Sequence, residues 1–202
     1  MTTVWDFMPA MSLFAFVTAM TPGPNNFLLA SSGAQFGFRK SWRHLIGIRL
    51  GVIGLILLCA CGVAVALQSH PSWYQAMKFV GSAYMLWLVI KLLFTNPFSG
   101  TGTKSKPLNV TQATLFQLGN IKAWMGSLAL ITSYSLPSHY WLSITLIAFV
   151  FTTVGLLANL FWTWVGKKLS IYLNSPFKQH LFNFILAVMI LLSIAPVLTS
   201  SI

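Results

Sequence analysis

Apolar residues run along this chain in six long, nearly unbroken stretches, with polar positions gathered between them. A bilayer core is about 30 Å thick, so a spanning helix needs roughly 20 apolar residues. The stretches at about Phe7–Ala30, Leu45–Leu67, Tyr74–Phe94, Ala113–Tyr134, Tyr140–Val165 and Leu181–Leu198 meet that need. They predict an all-α membrane protein with six transmembrane helices, forming one integral-membrane domain over residues 1–202. Between them lie short loops and one longer polar linker, Asn96–Thr111, rich in Gly, Ser, Thr and Lys. No soluble domain fits into any of these gaps. No Lys or Arg precedes the first apolar run, so the N-terminus does not read as a secretory signal.

Composition agrees with lipid as the solvent. The chain is 56% hydrophobic and 6% charged, whereas a soluble domain carries about 25% charged residues. A single acid, Asp6, stands against twelve Lys and Arg, for a net charge of +11. That excess does not point to nucleic acid, because the bases fall in loops and at helix ends. Arg39, Lys40 and Arg43 occupy the first loop, with Arg49 just inside the next helix. Lys104 and Lys106 lie in the linker, and Lys167, Lys168 and Lys178 in the last loop. The opposite side holds only Lys78 and Asp6. Positive loops stay cytoplasmic, so both termini are expected on the outer side of a bacterial inner membrane. Lys91 can snorkel to the cytoplasmic interface, and Trp5, Trp42, Trp73 and Trp141 fall where an aromatic belt would.

Three lesser features read as packing. Gly47 and Gly51, continued by Gly54, give the second span a small face for close helix approach. This spacing fits packing within the bundle, or alternatively a face between two copies. Cys59 and Cys61 point to nearly opposite sides of one helix, so they cannot pair with each other. His44, His70, His139 and His180 fall in loops or at helix ends and read as exposed. Asn159, Asn183, Thr152 and Thr153 read as hydrogen-bonding between helices. Pro196 is expected to kink or end the sixth span.

Two places interrupt the apolar pattern. The first is Thr21-Pro22-Gly23-Pro24-Asn25-Asn26. Proline lacks an N–H and clashes with the preceding turn, and the residue before it is pushed towards extended geometry. The motif could simply end helix one at the cytoplasmic face. Against that, Phe27-Leu28-Leu29-Ala30 continues the apolar run, so an opening within the span is the better reading. Backbone freed in this way is tolerated only where protein or a water-lined cavity covers it. The second place is Gln117-Leu118-Gly119-Asn120-Ile121-Lys122. A lysine there either snorkels or serves function, and its clustering with Gln117 and Asn120 favours function. The two places hold comparable positions in the first helix of each half. Three helices per half invert the second half, so the pattern suggests a 3+3 inverted repeat with its site between paired breaks.

Ala19-Met20-Thr21-Pro22-Gly23-Pro24-Asn25-Asn26, followed by Gly37-Phe38-Arg39 and the Gly47/Gly51 pair, resembles the N-terminal signature of the LysE/RhtB amino-acid exporters. Gly81-Ser82-Ala83-Tyr84-Met85-Leu86-Trp87-Leu88-Val89-Ile90-Lys91 is similar to that family's third-helix motif. Many members carry Asn-Pro-Lys in helix four, where this chain has Asn120-Ile121-Lys122, and loss of the proline weakens the expected break. The branch that exports cysteine and O-acetylserine is similar in lacking proline there. The resemblance implies inner-membrane efflux of small amino acids or their derivatives, of the cysteine/O-acetylserine or homoserine/threonine kind. It also implies coupling to the proton motive force, no enzymatic reaction and no cofactor.

Carried over residue by residue, the resemblance places Pro22, Gly23, Pro24, Asn25 and Asn26 on the substrate path, with Gln117, Asn120 and Lys122 opposite. A zwitterion's carboxylate would meet Lys122 or freed amides, and its ammonium would meet carbonyls near Pro22 and Pro24. No carboxylate lies within any span, so proton coupling through a carboxylate relay is ruled out. That leaves Lys122, the substrate's own titrating groups, or no coupling at all. Two other classes compete with an exporter. A membrane thiol-redox carrier needs two thiols able to meet, which Cys59 and Cys61 are not. A non-transporting assembly subunit has no need of paired polar breaks, and could form a homo-oligomer as readily as an exporter could.

Overall fold

The computed structural model describes residues 3–63, 66, 69–94 and 106–199. Helices dominate, and no strand occurs among the described residues. In chain order they are α1 (Met8–Met20), α2 (Pro24–Phe36), α3 (Phe38–Ala60), α4 (Pro71–Leu93), α5 (Val110–Gly119), α6 (Ile121–Tyr134), α7 (Tyr140–Leu169) and α8 (Pro176–Thr199). Of these, α3, α7 and α8 supply apolar runs long enough to cross a membrane. Shorter apolar helical runs cover Trp5–Met20 and Phe79–Leu93. Residues 95–105, with most of the linker and Lys104, lie outside the described residues. So do the expected end of the second span at Leu67 and the side chain of Lys78.

Local chemistry explains where the helices start and stop, and corrects several expected bounds. Gly37 has φ 77°, a left-handed geometry that favours glycine, and it ends α2. The next helix starts at once, so α3 begins at Phe38 rather than Leu45. Arg39, Lys40 and Arg43 therefore ride on its first turns instead of forming a loop. Arginine and lysine are good helix formers, so the helix need not wait for the apolar run. At the start of α5, the Asn109 side chain accepts from the Gln112 N–H at 2.8 Å, and Gln112 Oε1 accepts from the Asn109 N–H at 3.2 Å. This is a reciprocal cap. Lys167 and Lys168 form the last turn of α7, where cations oppose the helix dipole favourably. Pro196 does not end the last helix, which continues to Thr199.

The bundle packs through small residues. Gly47 and Gly51 of α3 lie against Val110, Ala113, Thr114 and Gln117 of α5. The pair is thus used inside the bundle, while Gly54 faces open space and does not continue that face. Gly81 of α4 meets Gly119 of α5 backbone to backbone, so that a Cβ on either would come within 2.6 Å of the other's Cα. Gly33 meets Thr163, and Gly166 meets Ala30, where α2 lies along α7. Leu29, Ile48, Leu55, Phe116, Leu130, Ile144, Ile147 and Ile190 fill the interior. Leu13, Phe79, Phe149, Leu157, Phe184 and Leu192 point outward, a surface suited to lipid. Trp5, Trp42, Trp73 and Trp141 are exposed as well.

One histidine departs from expectation. His70, His139 and His180 are exposed, but His44 is buried, and neither of its ring nitrogens has a hydrogen-bond partner. The early start of α3 is the cause, because it carries His44 into the packed part of the bundle.

Candidate functional site

The first interruption is a full break. Helix α1 stops at Met20, Gly23 is extended, and α2 restarts at Pro24. Freed carbonyls in a membrane protein must find donors, and from Val17 to Gly23 each one does. Val17 O accepts from the Thr21 N–H, and Thr18 O from the Thr21 hydroxyl at 3.0 Å. Asn26 Nδ2 donates to Ala19 O at 2.8 Å and to Thr21 O at 2.9 Å. Trp162 Nε1 donates to Met20 O at 3.2 Å. Lys122 Nζ donates to Thr21 O at 2.6 Å, Thr21 Oγ1 at 2.8 Å and Pro22 O at 3.2 Å. Gly23 O accepts from the Phe27 N–H of α2.

The second interruption is shorter. Only Asn120 leaves helical geometry, with ψ 89°, between α5 and α6. A break thus forms without the proline. Close contact of Gly119 with Gly81 fixes the end of α5, and Trp124 Nε1 takes the freed Leu118 carbonyl at 2.9 Å.

The two interruptions face one another. Asn25 Nδ2 donates to Gln117 Oε1 at 2.9 Å, and Gln117 Nε2 donates to Asn25 Oδ1 at 3.0 Å. Asn120 Nδ2 also donates to Gln117 Oε1, at 3.2 Å, leaving Asn120 Oδ1 buried without a partner. Lys122 crosses between the breaks to the carbonyls of the first, rather than snorkelling. Its ammonium therefore occupies the carbonyls that sequence reasoning reserved for the substrate's ammonium.

A cavity lies between the breaks. Gly23, Pro24, Asn25, Asn26, Asn120 and Lys122 line it. Pro22 instead lines an adjoining cavity of about 400 Å³, shared with Gly23, Pro24, Asn120 and Lys122. Gln117 is fully buried behind Asn25 and reaches neither cavity.

Two further polar residues stand on the cavity wall, where the sequence reading gave them no site role. Arg49 of α3 donates through Nη2 to Asn159 Oδ1 and through Nη1 to Thr152 O at 3.4 Å. Asn159 Nδ2 donates in turn to Asn26 Oδ1 at 3.0 Å. Arg49 read as an interfacial base because helix two was placed from Leu45. The signal that could have found it is Gly37, the stop that lets α3 begin at Phe38 and puts Arg49 midway along. Asn159, read only as an interhelical contact, joins Arg49 to the first break. Of the two cysteines, Cys59 is buried and Cys61 exposed, and both are free.

A helical membrane bundle whose broken helices enclose a cavity lined by cationic and amide side chains has the build of a small-molecule translocator. The chain belongs to the LysE type translocator family, whose model matches residues 16–195, and it is an integral membrane protein rather than an enzyme. It is 32% identical over 161 residues to the cysteine/O-acetylserine efflux protein of Escherichia coli (strain K12), covering 79% of this chain and 82% of that one. The same protein of Shigella flexneri serotype 5b (strain 8401) and of Shigella sonnei (strain Ss046) matches with the same identity and coverage. No solved structure gave a significant match.

Proposed function

We propose that this protein exports small amino acids or their derivatives, of the cysteine/O-acetylserine kind, from the cytoplasm across the bacterial inner membrane. The observation that carries this reading is the cavity between two facing helix breaks, lined by Asn25, Asn26, Asn120 and Lys122. It joins family membership to a site whose amide and cationic side chains suit a zwitterion. The names of the relatives point to cysteine and O-acetylserine.

In this reading the spans are α1 with α2, α3, α4, α5 with α6, α7, and α8. They form two inverted halves of three, with both termini outside. The packing supports the inversion. The broken helix α1–α2 lies along α7, the broken helix α5–α6 lies along α3, and α4 lies against α8. Each half's broken helix is thus held by the other half's middle helix, an exchange that a two-fold axis in the membrane plane would produce.

The substrate enters between the breaks. Its ammonium displaces Lys122 from the Thr21 and Pro22 carbonyls, and the polar side chains of Asn25 and Asn120 orient it. Releasing Lys122 loosens the contact between the first break and α6, and the halves rock about the site to open it outward.

Efflux from overproducing cells tests this reading. Cells are loaded with cysteine, O-acetylserine, homoserine, threonine or lysine and compared with an empty vector and with Lys122→Ala. Faster release of cysteine or O-acetylserine that is lost in the variant is expected. Release equal to the empty vector for all five compounds would refute it.

A further inference from the structure

We propose that Arg49 is the carboxylate receptor of this site, and that the translocated compound must carry a carboxylate and no net positive charge. The inference rests on the exporter reading above.

An arginine near the middle of a spanning helix is costly to insert, so its position calls for compensation. Its partners supply little. Thr152 O and Asn159 Oδ1 are neutral acceptors, the Thr152 contact is long, and Nε is buried with no partner. A guanidinium offers five N–H donors, so most of its capacity is unspent. Nor can the protein supply a counter-ion, because its one acidic side chain is Asp6, at the far N-terminus. The anion has to come from outside, and a planar carboxylate fits the guanidinium fork with two parallel hydrogen bonds.

The surroundings make room for the fork. Gly155 lies against the Arg49 guanidinium, and a Cβ there would overlap it. The first turn of α2 lines the same cavity and adds the partial positive charge of a helix N-terminus. Lys122 contributes a second full charge. A cationic amino acid would bring a third positive charge into a cavity with no acid to receive it, and like charges brought together discriminate strongly. Arg49 is also linked to the break, since Asn159 bridges it to Asn26, which holds the Ala19 and Thr21 carbonyls. A carboxylate drawn to Arg49 would therefore pull on the group that closes the end of α1.

Ligand-induced shifts in melting temperature of the purified full-length protein in detergent test the proposal without requiring transport. The probes are cysteine, N-acetylcysteine (carboxylate only), cysteinamide (no carboxylate) and lysine. Cysteine and N-acetylcysteine should stabilise the protein, whereas cysteinamide and lysine should not. Asn159→Asp gives Arg49 an internal counter-ion while preserving size, and Arg49→Gln removes the charge. Each variant, if monodisperse, should weaken cysteine binding by about tenfold or more. Cysteine flux with equal stabilisation by cysteinamide or lysine would overturn the role of Arg49 and leave the exporter standing. So would unchanged cysteine affinity in the two variants. Absence of binding and of flux for cysteine and O-acetylserine alike would overturn both readings.

Discussion

The ammonium of Lys122 lies 2.6 Å from the carbonyl oxygen of Thr21, so a side chain of α6 closes the open end of α1. In a membrane those carbonyls must be met by something, and a single lysine meets two of them. Lys122→Ala should lose at least about tenfold in efflux, since the Thr21 and Pro22 carbonyls then lack the ammonium that takes them back once the substrate leaves, and hydrogen bonds to a charged group contribute roughly 1.5–3 kcal/mol. Lys122→Arg should recover only part of it, because a fork does not fit a site built for a point charge. Initial efflux rates at matched membrane expression measure both.

Asn25 and Gln117 exchange two hydrogen bonds between the breaks. Interhelical bonds in membranes average roughly 0.6 kcal/mol each, so the pair should couple by about 1 kcal/mol. A double-mutant cycle with Asn25→Ala and Gln117→Ala, read by thermal unfolding in detergent, should show the double variant less destabilised than the sum of the singles.

Gly81 and Gly54 sit on successive helices of the chain with opposite demands. A methyl at Gly81 would meet the backbone of Gly119, which cannot yield, and overpacking of this sort costs about 1–3 kcal/mol. A methyl at Gly54 meets nothing and gains about 1 kcal/mol of helix propensity. Gly81→Ala should therefore lower the melting temperature, and Gly54→Ala should leave it unchanged or raise it.

His44 is buried with both ring nitrogens unpaired. An unsatisfied buried polar group costs about 1–3 kcal/mol, and an apolar side chain of similar volume avoids that cost. His44→Leu should raise the melting temperature and leave efflux intact.

Much of this was legible in the sequence, because lipid punishes irregular backbone so heavily. Thr21-Pro22-Gly23-Pro24 announces a break by its chemistry alone, and the chain does break there. Clustering of Gln117, Asn120 and Lys122 located the second one, although isoleucine stands in place of the usual proline. Gly47 and Gly51 read correctly as close packing. The limits came from the length rule used to place helices. The polar turns at 39–43 have the composition of a loop, so the length rule starts α3 at Leu45 and puts His44 outside the helix and Arg49 near its edge, whereas both lie well inside it. Their burial depends on what α5 and α7 pack against α3, and no spacing within α3 states that. Asn159 posed the same problem, since an asparagine in a span looks alike whether it bridges two helices or finishes a site.

The most direct measurement of the central claim is flux through the purified protein. Liposomes carrying the wild-type chain and loaded with labelled cysteine should release it faster than empty liposomes, and those carrying Lys122→Ala should release it at the empty-liposome rate. Release by the variant as fast as by the wild type would show that cysteine does not pass between the two breaks.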